Sequence, residues 1–252
     1  MAQRSLDIMI DTTLRLPTLG LAAAALMAVL AAVAPARSQQ TVDLQLVLAI
    51  DASGSVDAAE FDLQMRGLAE AFRHPDVIAA IKRGSGIAVS VVQWGGPGHQ
   101  FVTTPWSVVG DDASSRELAA HIESAGRQVF DSMTAIDNVL RFAVRLIADS
   151  PFQAGRRVID ISGDGKTNYG FPPDAGRNHA LAAGVTVNGL AILNETADLA
   201  QYYRDHVIGG AGSFLMTVED YQDFASAIRR KLLREILDAP VAARPLGRAA
   251  KG

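Results

Sequence analysis

The sequence predicts an α/β fold, a doubly wound and mostly parallel sheet with one antiparallel edge strand and helices on both faces. Three observations lead there. Short runs dense in Val, Leu and Ile alternate with segments whose apolar residues recur every three or four positions, which is the rhythm of βα crossover units. Two of the runs lead straight into an aspartate among small residues, Asp51 and Asp164. Gly95-Gly96-Pro97-Gly98 then forces one sharp reversal after an apolar run, which supplies the antiparallel edge.

The elements follow in order. Val42–Ile50 reads as a strand buried on both faces and ends at Asp51. Asp57-Ala58-Ala59-Glu60 is a capping-box pattern. The helix behind it carries Phe61, Met65, Leu68 and Phe72 on one stripe and runs to Arg73, where Pro75 stops it. Ile87–Trp94 is a strand, and His99–Trp106 returns beside it. Residues 111–125 and 135–148 read as helices. Arg157–Ser162 is a strand closed by Gly163-Asp164-Gly165, 174–183 a helix stopped by Gly184, and 185–193 a strand. A short strand at 213–218 precedes a periodic helix over 219–237. No internal repeat is present.

Composition narrows the function classes. With 49% hydrophobic and 20% charged residues, the chain is an ordinary globular one. A net charge of −4 gives no basic face for nucleic acid. The absence of cysteine excludes disulfides, thiolate metal sites and a thiol nucleophile. From Leu16 to Ala36 the chain is uncharged and rich in alanine, with Arg4 and Arg15 before it and Ala34-Pro35-Ala36 at its end. That is the pattern of a secretory signal peptide, although the run is also just long enough to span a bilayer as an anchor. We expect a leader over 1–38, one domain over 39–238 and a loose tail over 239–252. The product would be periplasmic or secreted, with no membrane contact beyond the leader.

Asp51-Ala52-Ser53-Gly54-Ser55 sets three oxygen-bearing side chains at alternate positions just after a buried strand. Ser132-Met133-Thr134-Ala135-Ile136, just before the helix over 135–148, adds a hydroxyl, and Ile161-Ser162-Gly163-Asp164-Gly165 adds a second carboxylate in a later strand-to-helix loop. The ordered set resembles the metal-ion-dependent adhesion site (MIDAS) of von Willebrand factor A domains, over nearly all of residues 42–238. It is similar in particular to bacterial, secreted, stand-alone A-domain proteins of uncharacterised function. The resemblance implies that Ser53 and Ser55 ligate a divalent cation directly and that Thr134 does so in one loop state. It also implies that Asp51 and Asp164 act directly or through water. Hard oxygen donors suit Mg²⁺ first, with Ca²⁺ or Mn²⁺ as alternatives.

Each residue also has a plainer reading. Asp51 and Asp164 suit turns, Ser53 and Ser55 suit loops, Thr134 suits a helix N-cap, and Asp57 reads as a cap. Other motifs fail on spacing. Gly165-Lys166-Thr167 lacks the earlier Gly of a phosphate loop, and Val56 stands where a calcium hand from Asp51 needs Gly. The five histidines show no zinc spacing. The resemblance therefore implies a non-enzymatic module that captures an Asp or Glu of a protein partner through the cation. Tyr169 and Phe171, on the loop after Asp164, are the candidate partner anchors. The alternative is a hydrolase using the same cation as a Lewis acid, and it lacks an evident base in the motif loops.

Overall fold

In the computed structural model, residues 40–130 and 132–237 are described; the expected leader over 1–38 and the expected tail over 239–252 lie outside them. Six strands form one sheet in the order β3-β2-β1-β4-β5-β6. They are β1 (Gln40–Asp51), β2 (Ile87–Trp94), β3 (Gln100–Val109), β4 (Phe152–Gly163), β5 (Thr186–Ile192) and β6 (Leu215–Val218). All neighbours pair in parallel except β2 and β3. The expected antiparallel edge is thus present, and Pro105 lies in that edge strand, where a missing N–H is tolerated.

Period-two alternation sorts the strand residues onto two cores. Leu44, Leu46, Leu48 and Ile50 of β1 pack under α1 (Ala58–Arg73), α2 (Pro75–Ile81), α3 (Asp112–Ser124) and α7 (Phe224–Leu237). Val47 and Ala49 face α4 (Ile136–Ala148), α5 (Pro173–Ala182) and α6 (Leu199–Tyr202), which continues as a π-helix over Tyr203–Val207. Phe61, Met65, Leu68 and Phe72 are buried on α1 as their spacing predicts. Asp57 closes a capping box, accepting from Glu60 N at 2.8 Å while Glu60 Oε2 accepts from Asp57 N at 2.8 Å.

Four boundaries differ from the sequence reading. Pro75 ends one helix and also begins another at its first position, where it has no bond to lose. β4 starts at Phe152, five residues early, because it pairs with the first residues of β1. The last helix opens with a 3₁₀ turn over Tyr221–Asp223 before α7 begins. Residues 199–207, left without an element by the sequence reading, are helical.

The order places a topological switch between β1 and β4, since the chain leaves them towards opposite edges. Ile50 pairs with Ser162, so Asp51 and Gly163-Asp164 emerge side by side. Ligands in open α/β sheets bind at that crevice beyond the carboxyl ends.

Candidate metal centre

The five oxygen-bearing residues come together at the switch. Asp51 and Ser53 are fully buried, Thr134 is 4% and Asp164 1% exposed, and Ser55 is half-buried. Asp51 turns its Oδ1 back to accept from Ser53 N at 2.8 Å, which curls the loop after β1. Ser53 Oγ then stands 3.3 Å from Ser55 Oγ and 3.4 Å from Thr134 Oγ1. Ser55 donates to Asp164 Oδ1 at 2.7 Å. Neighbouring oxygens at about 2.1 Å from a Mg²⁺ ion and at right angles to each other lie about 3 Å apart, so these spacings fit a shared divalent ion.

Backbone contacts hold the loops in place. Gln64 of α1 donates to Asp51 O at 3.0 Å. Arg127 donates to Ala52 O at 2.8 Å and Ser53 O at 2.9 Å, fastening the first loop from the side. Asn168 and Thr134 exchange two bonds, Thr134 N to Asn168 Oδ1 at 2.9 Å and Asn168 N to Thr134 O at 3.0 Å. The N-cap position of α4 is Ala135, which makes no side-chain cap, so Thr134 is not the helix cap. Its hydroxyl faces Ser53 instead.

The charge balance of the pocket is negative. Burial first, and the nearby Asp164 second, push the Asp51 carboxyl up to about 7. Glu60 is also raised above its usual range, first by burial. Asp164 spends its second oxygen on Tyr221, whose hydroxyl donates to Oδ2 at 2.9 Å. Among the described residues no three His, Cys, Asp or Glu gather as a metal cluster; the donor set here is two carboxylates and three hydroxyls. Asp51 Oδ2 is buried without a hydrogen-bond partner, which suits a site that an added cation or its waters would complete.

Gln64, Arg127 and Tyr221 escaped the sequence reading. Each is remote in the chain and belongs to a helix or loop without a motif. Tyr169 and Phe171 are exposed, at 54% and 70%, so neither packs beneath its loop. Phe130 at 81% and Met133 at 37% stand on the other flanking loop, and nothing in their spacing marked them.

The model of one protein family matches residues 41–240. The chain belongs to that family, described as Protein of unknown function (DUF1194). No curated sequence matches the chain. Among solved structures its fold is that of von Willebrand factor A domains. Proximal thread matrix protein 1 from the mussel byssus is 16% identical with a TM-score of 0.58, covering 79% of this chain and 49% of that chain. This chain thus spans about half the length of the mussel protein. The vWF domain of the type V pili tip protein Mfa5 from Porphyromonas gingivalis is 11% identical with a TM-score of 0.59, covering 79% of this chain and 97% of that one. Another structure of the mussel protein, 14% identical with a TM-score of 0.55 over the same shares of the two chains, has its MIDAS motif occupied by zinc. At these identities the DUF1194 chain shares a fold with them.

Proposed function

We propose that this domain is a metal-dependent protein-binding module, exported by its leader, which captures an acidic side chain of a partner through a divalent cation. The observation that carries this reading is the meeting of Asp51, Ser53, Ser55, Thr134 and Asp164 at the switch point, with two buried carboxyls whose hydrogen bonds there come from hydroxyls and a backbone N–H. The three hydroxyls and the two carboxylates would hold the ion, with Mg²⁺ first and Ca²⁺ or Mn²⁺ as alternatives. The zinc in the mussel protein's MIDAS supports a divalent ion on this scaffold. The bound cation supplies the positive charge that a partner's Asp or Glu would meet.

The rim fits a protein partner. Phe130, Met133, Tyr169 and Phe171, four of the seven exposed large hydrophobic residues described, lie on the two loops flanking the site. Exposed apolar side chains gathered around a polar centre mark an interaction surface. No helix among the described residues is long and apolar enough to cross a membrane.

The test is capture from envelope extract by wild type and Asp164→Ala, each with and without chelator, beside a direct Mn²⁺ titration. We expect one captured protein that chelation or the substitution releases. Equal capture in all arms would exclude the cation as the contact.

A further inference from the structure

We propose that Tyr203 and Trp94 are positioning residues for the cation site, holding the inner oxygen of Asp51 through one buried water. The proposal rests on the cation reading above and assigns roles to two residues that no motif contains. Beneath the site, three side chains with unpartnered polar atoms meet at Gly163. Asp51 Oδ2, Tyr203 OH and Trp94 Nε1 are each buried without a hydrogen-bond partner, and their residues are fully buried. They come from β1, the π-helix after α6 and the end of β2.

Gly163 shows how close they are. A Cβ there would lie 2.7 Å from Asp51 Oδ2, 2.9 Å from Tyr203 OH and 3.3 Å from Trp94 Cζ2. Two oxygens so near one point are within reach of a single bridging water, given hydrogen bonds of about 2.8 Å. The chemistry of the trio matches a water's needs. One carboxylate oxygen accepts, the indole N–H donates and the phenol does either, which gives the two to four polar partners a buried water requires. A side chain at position 163 would press on both oxygens, at 2.7 and 2.9 Å.

Residue choice and backbone agree. A ring that merely filled this core would be Phe, since a buried hydroxyl without a partner costs stability. Tyr203 opens a π-helix of five residues, a rare turn that recurs at functional sites. Burial, with Asp51 and Asp164 nearby, raises the Tyr203 hydroxyl well above its usual range, so it stays protonated and able to donate. Asp51 Oδ1 is already committed to Ser53 N. With Oδ2 held from below, the carboxylate cannot rotate, and the loop it curls presents Ser53 and Ser55 in a fixed direction.

The experiment measures Mn²⁺ affinity by calorimetry and thermal stability in chelator for wild type, Tyr203→Phe, Trp94→Phe and Gly163→Ala. Removing the Tyr203 hydroxyl should weaken Mn²⁺ about tenfold, as loss of an outer-shell partner commonly does, while the metal-free midpoint stays the same or rises. Trp94→Phe should act in the same direction. Gly163→Ala should weaken Mn²⁺ too, because its methyl would meet Asp51 Oδ2 at 2.7 Å and Tyr203 OH at 2.9 Å and push them apart. A metal-free crystal structure of the wild type should show one water bonded to all three atoms, and a dry site would overturn the bridge. If wild type binds Mn²⁺ and Tyr203→Phe binds it equally, the positioning role is overturned and the cation reading stands. A wild type that takes up no Mn²⁺ overturns both.

Discussion

Beneath α7, Asp160 of β4 and Glu235 share the ammonium of Lys231, which lies 3.0 Å from an oxygen of each in a fully buried cluster. Asn188 of β5 donates to Glu235 at 2.9 Å and accepts from Phe214 N at 2.9 Å. Four residues along the same chain, Asp164 faces the Asp51 site, and there the partners are hydroxyls and a backbone N–H. Burial pushes both Asp160 and Asp51 up to about 7, although Lys231 pulls Asp160 the other way. The first cluster carries its own cation and is closed over. The second has hydroxyls, a backbone N–H and only the more distant charge of Arg127 to offset two carboxylates, and it lies at the mouth of the switch point. One acidic pair is completed by the fold, and the other is the pair we propose a divalent ion completes.

The sharpest break would come from removing the internal cation. Lys231→Met should destabilise the domain by about 3–5 kcal/mol at pH 8, the usual cost of stripping one partner from a buried ion pair. Urea denaturation would measure it. The loss should shrink at pH 5, where the abandoned carboxyls can hold protons. Mn²⁺ affinity of the folded fraction should not change. A loss below about 1 kcal/mol would mean that Asp160 and Glu235 do not need Lys231.

Adding and removing the external cation probes the other site. Wild type should gain about 2.7 kcal/mol at a hundredfold excess of Mg²⁺ or Mn²⁺ over Kd, and Asp164→Asn should lose nearly all of that gain. In chelator the same substitution should leave stability unchanged or improved, because it removes the neighbouring charge that helps raise Asp51. Equal cation-induced shifts in both proteins would remove Asp164 from the site.

The two clusters differ as much in legibility as in chemistry. The candidate metal-site residues stood out because they sit in loops of characteristic order and composition, Asp51, Ser53, Ser55 and Asp164 at or just after strand ends and Thr134 just before a helix. Asp160 sits in the middle of a run read as a buried strand, and Lys231 and Glu235 sit in a helix read only as periodic. An i,i+4 pair on a helix is ordinarily a surface feature; only the register that sets Asp160 and Asn188 under α7 reveals it as core. The fold class, the antiparallel edge and most elements were readable because hydrophobic period reports burial directly. Residues 199–207 were not, since a short helix entering a π-turn has neither a side-chain cap nor a full apolar stripe. Arg127, Tyr221 and Tyr203 reach the site only through tertiary contact.

Asp51 and Asp160 share one pH window, so a substitution at Asp160 is needed to isolate the internal cluster's part of the pH dependence. The folded Asp160 carboxyl lies near 7, and in the unfolded chain it lies near the ordinary value of about 3.9. Between those values the folded protein holds a proton that the unfolded chain has released. Its contribution therefore falls as pH rises from about 4 to about 7, and it levels off above that. Asp160→Asn should flatten the profile relative to wild type over this window, with both measured in chelator. Parallel profiles would show that the proton resides elsewhere in the cluster.

The smallest effect tests whether hydroxyls truly stand in for a cation. Tyr221 donates to Asp164 Oδ2 from the 3₁₀ turn before α7, and its own hydroxyl is held far above the usual range by burial first and then by Asp164. Tyr221→Phe keeps the ring in the core and removes only the donor. In chelator it should cost about 1.5 kcal/mol, the lower end for a hydrogen bond to a charged group, and at most half the loss expected from Lys231→Met. Paired urea titrations on one preparation would give both numbers. If the two losses are equal, a single hydroxyl does as much for Asp164 as an ammonium does for Asp160, and the acidic pair at the switch point is already satisfied by the protein. If the hydroxyl contributes little, Asp164 retains an uncompensated charge beside Asp51, and a divalent ion has the electrostatic reason to bind that the contrast between the two clusters requires.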